Sequence, residues 1–169
     1  MRAAPPTRGD IFEILDEVKD PEVPVLSVVE LGIVRDARVD ADGVTITVTP
    51  TYSGCPAMRV IEDDIRAALI SNGFGVVHVE TVYSPAWTTD WMSTDAKRKL
   101  QAYGIAPPGP VPQDSLVSLT RAPSAVERVS CPYCHSLETE IRSEFGSTAC
   151  KAIAYCANCK QPFEVFKAL

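Results

Sequence analysis

Six cysteines stand in this 169-residue chain, and five of them fall into two patterns that can do chemistry. Cys131-Pro132-Tyr133-Cys134 and Cys156-Ala157-Asn158-Cys159 form C-x2-C-x21-C-x2-C. Two-residue spacing lets both sulphurs of a turn converge on one tetrahedral ion at about 2.3 Å, which suits one structural Zn²⁺ ahead of rubredoxin-type iron. The spacer is one residue longer than the usual range, a trivial departure. The fifth cysteine, Cys55, lies in Thr49-Pro50-Thr51-Tyr52-Ser53-Gly54-Cys55-Pro56, between a strand pattern and a helix pattern. Pro56 suits a first helical position, which would set Cys55 at or next to an N-cap. There the helix dipole and free N–H groups favour thiolate. The plainer alternative is a small buried apolar residue. Cys150 has no partner at ligand spacing and reads as that kind of residue.

The elements around these residues follow from periodicity. Val44 to Thr49 is β-branched at nearly every position, a strand signal. Met58, Ile61, Ile65, Ala68 and Leu69 recur at helical spacing to about Ser71, before an Asn72-Gly73 C-cap. Asp10 can cap a helix carrying Ile11, Ile14, Leu15 and Val18. Val28 to Val39 reads as a strand, with Gly32 marking a bulge or a close backbone approach. Val76 to Val82 is a third strand, and Ser93 to Tyr103 a helix with a cap at Ser93. The order predicts an α/β (α+β) fold: a small mixed three-stranded sheet with covering helices, then a small β-rich zinc ribbon.

The chain divides accordingly. Residues 1–9 are expected to be a disordered N-terminus, 10–104 an α/β domain, 105–124 a Pro-rich linker and 125–169 the ribbon. Leu116 to Leu119 could add a short strand. Composition excludes several roles. A net charge of −6 opposes nonspecific nucleic-acid binding, which needs a basic surface. No apolar run approaches the roughly 18 residues of a membrane span. The first nine residues lack the apolar core of a secretory signal. A reducing cytoplasm is therefore expected, where six cysteines mean metal or thiol chemistry. Cys131 to His135 also reads C-x-x-C-H, a haem-attachment pattern. The second C-x-x-C makes His135 an ordinary knuckle residue instead, and His78 reads as a packed or edge histidine.

Thr-x-x-x-x-Gly-Cys-Pro, preceded by Asp20-Pro21-Glu22-Val23-Pro24 and Leu31-Gly32-Ile33-Val34, resembles the SufT/PaaD family of metal–sulphur assembly domains. The run Ser84-Pro85-Ala86-Trp87-Thr88-Thr89-Asp90-Trp91-Met92 and the C-terminal cysteine module narrow the resemblance to its phenylacetyl-CoA epoxidase branch. Gly146 to Lys151 is similar to that branch's ribbon signature. The resemblance implies an accessory protein, not catalytic on its own, that handles a transient iron or iron–sulphur cluster. Its partners would be epoxidase subunits or other iron–sulphur clients. Asp20, Thr49 and Cys55 match the family's motif positions, and Glu22 and Glu30 are further oxygen donors. A single thiolate holds iron weakly, so either a homodimer with two Cys55 groups or a client would complete the ligand set. Two other readings stand beside it: a structural zinc-ribbon subunit or adaptor, and a thiol enzyme, which lacks a histidine near Cys55.

Overall fold

The computed structural model describes residues 6–40, 42–109 and 129–168. Most of the expected linker, 110–124, and the Leu116–Leu119 strand therefore lie outside the described residues. So do 1–5 of the expected disordered N-terminus and the first four residues expected of the ribbon. The chain forms two compact units. One is built on residues up to Trp87 with Trp91–Ala96, the other on Thr88–Asp90 and the chain from Lys97 onward.

The first unit holds α1 (Arg8–Leu15), β1 (Val34–Val39), β2 (Val44–Val48), α2 (Met58–Ser71) and β3 (Val77–Thr81). The sheet order is β1-β2-β3, with β1 antiparallel and β3 parallel to β2. Parallel neighbours need a crossover, and α2 supplies it. Along β2, Val44, Ile46 and Val48 are buried on one face, while Thr45 and Thr47 alternate on the other. The buried face joins Ile11 and Leu15 of α1 with Ile61, Ile65 and Leu69 of α2 in one core. This is the mixed three-stranded sheet with covering helices that the periodicity predicts.

Two boundaries differ from expectation. Thr7, not Asp10, caps α1: its hydroxyl accepts from the Asp10 N–H while Asp10 accepts from the Thr7 N–H, a reciprocal capping box. Residues 8 and 9 are thus helical rather than part of a disordered tail. The strand expected from Val28 begins only at Val34, because residues 28–33 instead fold into turns. Leu31 N–H donates to Ser27 O and both Ile33 and Val34 N–H donate to Val28 O. Gly32 sits in these turns with φ +72°, and a Cβ there would lie 2.9 Å from Trp91 Cβ. The close backbone approach expected at Gly32 is real.

Helix α3 (Thr94–Tyr103) begins where Ser93 Oγ accepts the Ala96 N–H, the expected cap. The second unit then carries β4 (Ile105–Ala106), β5 (Thr139–Ser143), β6 (Lys151–Cys156) and β7 (Pro162–Phe166), in the sheet order β4-β7-β6-β5. Ile105 and Ala106 begin the stretch expected to be a linker. They are instead 5% and 0% exposed and pair in parallel with Glu164 and Val165. Two apolar residues are too few to show a period, so this strand has no sequence signal. The adjoining core is small: Ala106, Ala152, Ala154, Phe163 and Val165, with Cys131 and Cys156 completing it.

An ion pair with one buried end ties β6 to β7. Lys151, 4% exposed, holds its Nζ 3.1 Å from Glu164 Oε2, while Glu164 Oε1 accepts the Ser147 N–H at 2.8 Å. Burial pushes the Glu164 carboxyl up, but hydrogen bonds from Ser147 and the Lys151 charge outweigh it, leaving the carboxyl below its ordinary range. A depressed carboxyl stabilises fully above its unfolded pKa, and that contribution is lost as pH falls through the folded value. Glu164→Gln should therefore destabilise the ribbon by on the order of 1 kcal/mol at neutral pH, since it removes the negative charge that faces the Lys151 ammonium. The difference from wild type should shrink as pH falls below the ordinary carboxylate range and vanish once pH has passed below the depressed folded value. Chemical denaturation of both proteins across that range checks it, and an unchanged midpoint at neutral pH would refute it.

Candidate functional site

Two knuckles built alike bring the four ribbon cysteines together. In the first, Cys131 N–H donates to Ser136 O and His135 N–H returns to Cys131 O. In the second, Cys156 N–H donates to Gln161 O and Lys160 N–H returns to Cys156 O. His135 and Lys160, at matching positions, both adopt positive φ, 61° and 60°. Each turn thus curls its backbone so that two thiols project from one side. His135 serves the knuckle through its backbone, as expected.

The four sulphurs all lie within 4.8 Å of one another, with Cys131–Cys159 at 3.7 Å and Cys134–Cys156 at 3.6 Å. A tetrahedron of sulphurs about 2.3 Å from a central zinc has edges of about 3.8 Å. The arrangement fits a four-thiolate metal and is far too open for disulfides, whose sulphurs stand about 2.0 Å apart. Among the described residues this is the one cluster of three or more such donors within ligand reach. The thiols share protons unevenly. Cys134 is drawn down to about 6 by the Ser136 N–H and then by Asn158, which donates to its sulphur at 3.5 Å. Cys159 is pushed up to about 12 by desolvation and by its neighbouring sulphurs. Such a set ionises in full only when a cation replaces the shared protons.

Cys55 occupies a different setting from the one expected. Helix α2 starts at Met58 with Ala57 as N-cap, so Cys55 lies two residues upstream of the cap. Residues 52–55 form a turn closed by Cys55 N–H to Tyr52 O at 3.2 Å, and Met58 N–H then donates to Cys55 O at 3.3 Å. Pro56 is spent in this turn rather than at the first helical position. The thiolate expectation is overturned as well. Half-buried Cys55 has its thiol pushed up, first by desolvation. The Ala57 N–H pulls it down, the charges of Glu22 and Asp20 push it further up, and a hydrogen bond from Tyr52 pulls back. A nearby amide survives from the helix-terminus picture, but burial and two carboxylates outweigh it.

Of the other motif residues, Asp20 and Glu22 bear on this turn. Asp20 is 7% exposed, and its Oδ1 accepts the N–H groups of Glu22 and Val23, both at 2.8 Å. That locks the Asp20-Pro21-Glu22-Val23-Pro24 loop, and the charges of Asp20 and Glu22 both bear on Cys55. Glu30 is turned elsewhere, accepting the Ser27 N–H at 3.0 Å. Thr49 ends the β2 ladder, its N–H donating to Ile33 O at 2.9 Å. Its hydroxyl is fully buried and has no hydrogen-bond partner among the described residues. Sequence reasoning reaches Asp20, Thr49 and Cys55 only through motif resemblance. It misses Tyr52, whose three-residue spacing to Cys55 needs a turn prediction to interpret. Cys150 is 4% exposed, with Thr148 Oγ1 3.1 Å from its sulphur. His78 stands exposed on the edge strand β3.

Comparison with known proteins accounts for both halves. A family model described as an iron–sulphur cluster assembly protein matches residues 8–81, and one described as the PaaD zinc β-ribbon domain matches 117–167. The segment between them is covered by neither. A putative 1,2-phenylacetyl-CoA epoxidase subunit of Escherichia coli is 43% identical over 166 residues, 98% of this chain and 96% of that protein. An Fe–S protein maturation auxiliary factor of Porphyromonas gingivalis is 40% identical over 96 residues, 56% of this chain and 90% of that protein. A solved domain of unknown function from Bacillus anthracis superposes with a TM-score of 0.52 at 32% identity, covering 55% of this chain and 90% of that one. The full-length match and the two family models together show that the chain belongs to the PaaD family, an iron–sulphur-assembly-type domain followed by a zinc β-ribbon.

Proposed function

We propose that the protein is an accessory factor of a phenylacetyl-CoA epoxidase system in aerobic phenylacetate catabolism. Its work is to assist loading of the oxygenase's iron or iron–sulphur centre through Cys55, with Asp20 and Thr49. The observation that carries the reading is the pairing of a half-buried thiol with two nearby carboxylates, Asp20 and Glu22. Carboxylates that make a thiolate costly in the metal-free protein become an advantage once a cation arrives, because all three groups then face opposite charge. The cargo's proton balance follows: binding displaces the Cys55 proton to solvent as the metal–sulphur bond forms. Outside the ribbon cluster no other group of three or more His, Cys, Asp or Glu donors converges at ligand distance among the described residues, so retention is weak. The client, or a second Cys55 in a homodimer, supplies the missing ligands, which favours transfer over storage. Zn²⁺ in the ribbon is structural, and four thiols kept free for it suit a reducing cytoplasm.

Since the thiol is protonated at neutral pH, affinity for Fe²⁺ or Co²⁺ at Cys55 should rise about tenfold per pH unit between pH 7 and 8. Titration of zinc-loaded protein, followed by metal–thiolate absorption, checks this. A pH-independent affinity would mean that the thiol is not the ligand.

A structural subunit that contacts the oxygenase without moving metal is the competing reading. The raised Cys55 thiol is the observation in its favour. Co-production of the oxygenase with wild-type, Cys55→Ser or no accessory chain separates the two by iron content and turnover. Under the loading role, Cys55→Ser leaves the client as iron-poor as the deletion does. Wild-type iron with Cys55→Ser would establish the scaffold.

A further inference from the structure

Ser84 to Ser93 follows the first matched stretch and precedes the second, yet it is tied closely to the turns around Gly32. Three consecutive carbonyls there each accept a hydrogen bond from outside those turns. Glu30 O accepts the Ser93 N–H at 3.1 Å, Leu31 O the Trp87 Nε1–H at 3.0 Å, and Gly32 O the Arg35 Nη1–H at 3.4 Å. The Arg35 guanidinium lies 3.4 Å from the centroid of the Trp91 ring. Trp91 in turn leaves room at Gly32 for hydrogen only, its carbonyl oxygen standing 2.9 Å from where a Cβ would be. The next residue, Ile33, is 1% exposed, and its carbonyl receives the Thr49 N–H. Thr49 opens the loop that runs to Cys55.

We propose that Trp87, Trp91 and Arg35 are positioning residues for the Cys55 centre. Trp87 latches the Leu31 carbonyl and Arg35, stacked on Trp91, the Gly32 carbonyl; with the Ser93 N–H on Glu30 O they fix Ile33, and Ile33 fixes the depth of Thr49 and the start of the Cys55 loop. The segment between the two family modules is thus a working part of the metal-handling domain rather than a spacer. A buried backbone carbonyl seeks a donor, and here the donors come from this segment and from the arginine stacked on it. The inference rests on the metal-handling reading of Cys55 but is tested apart from it.

Trp87→Phe in the full-length, zinc-loaded protein keeps the aromatic volume and deletes the Nε1–H. One lost hydrogen bond should raise the local opening of the Cys55 loop, and with it the iodoacetamide alkylation rate at Cys55, by about tenfold. The melting temperature should fall by only about a few degrees. Trp91→Phe, which keeps a ring under Arg35, should stay near the wild-type rate, while Trp91→Leu should match Trp87→Phe. Ile65→Val, a core truncation of similar cost to stability, should leave Cys55 alkylation unchanged. An unaltered rate in Trp87→Phe overturns the proposal, as does an equal rise in Ile65→Val. If Cys55→Ser proves harmless to client iron while Trp87→Phe still accelerates alkylation, the loading role fails and the latch stands.

Discussion

Cys131→Ser should abolish the ribbon as a folded unit and release about one metal ion per chain. A Ser hydroxyl cannot replace a thiolate in a four-sulphur site, and metal binding of this kind contributes on the order of 10 kcal/mol to folding. Nothing else described in the ribbon can make up that loss. Its core rests on three alanines, Phe163 and Val165, with Cys131 and Cys156 themselves fully buried in it and Phe166 as the other large buried side chain of β7. About 1.5–3 kcal/mol per buried large side chain leaves such a core short of the entropy of ordering its strands. Loss should extend to β4, because Ile105 and Ala106 pair with β7 alone. Hydrogen exchange should show protection vanishing at β4, β5, β6 and β7. It should persist at Ile61, Ile65 and Leu69, which belong to the core of the other unit. Full metal content in the variant would mean that these are not the ligands. Ribbon strands protected without metal would mean that apolar packing suffices to hold them.

What is legible in the sequence has local causes. C-x2-C announces two knuckles because the turn and its ligands lie within a few residues of each other. Helix α2 and strand β2 announce themselves because their buried faces repeat at the period of their own backbone. The departures share the opposite property. Residues 28–33 are β-branched enough to pass for the start of β1, although their N–H groups close turns instead. The Cys55 thiol reads as a helix-terminus thiolate from its own helix, whereas its setting depends on Asp20 and Glu22, more than thirty positions earlier. The Ser84–Met92 run is visible as a motif, but its purpose needs Trp87 beside Leu31, a pairing across 56 residues that no local pattern records.

Thr49→Val should raise stability and still impair metal delivery. The Thr49 hydroxyl is buried without a partner among the described residues, and a desolvated, unsatisfied group of this kind costs about 1–3 kcal/mol. Valine has nearly the same shape and no hydroxyl, and β-branching suits the end of β2. On packing grounds alone the replacement is an improvement, so the stability read from denaturation should rise by about 1 kcal/mol or more. If the hydroxyl serves cargo bound at Cys55, or the client during transfer, the same change removes its contribution. Oxygenase co-produced with Thr49→Val should then approach the iron content found with Cys55→Ser. A merely structural threonine predicts the first effect without the second. Thr49→Ser makes the comparison sharper, since it keeps the hydroxyl and gives up a methyl group. It should lose stability by about 1 kcal/mol yet retain most of the delivery. Opposite orders of the two variants in stability and in client iron would assign the hydroxyl to function. Parallel orders would assign Thr49 to the fold and remove it from the site.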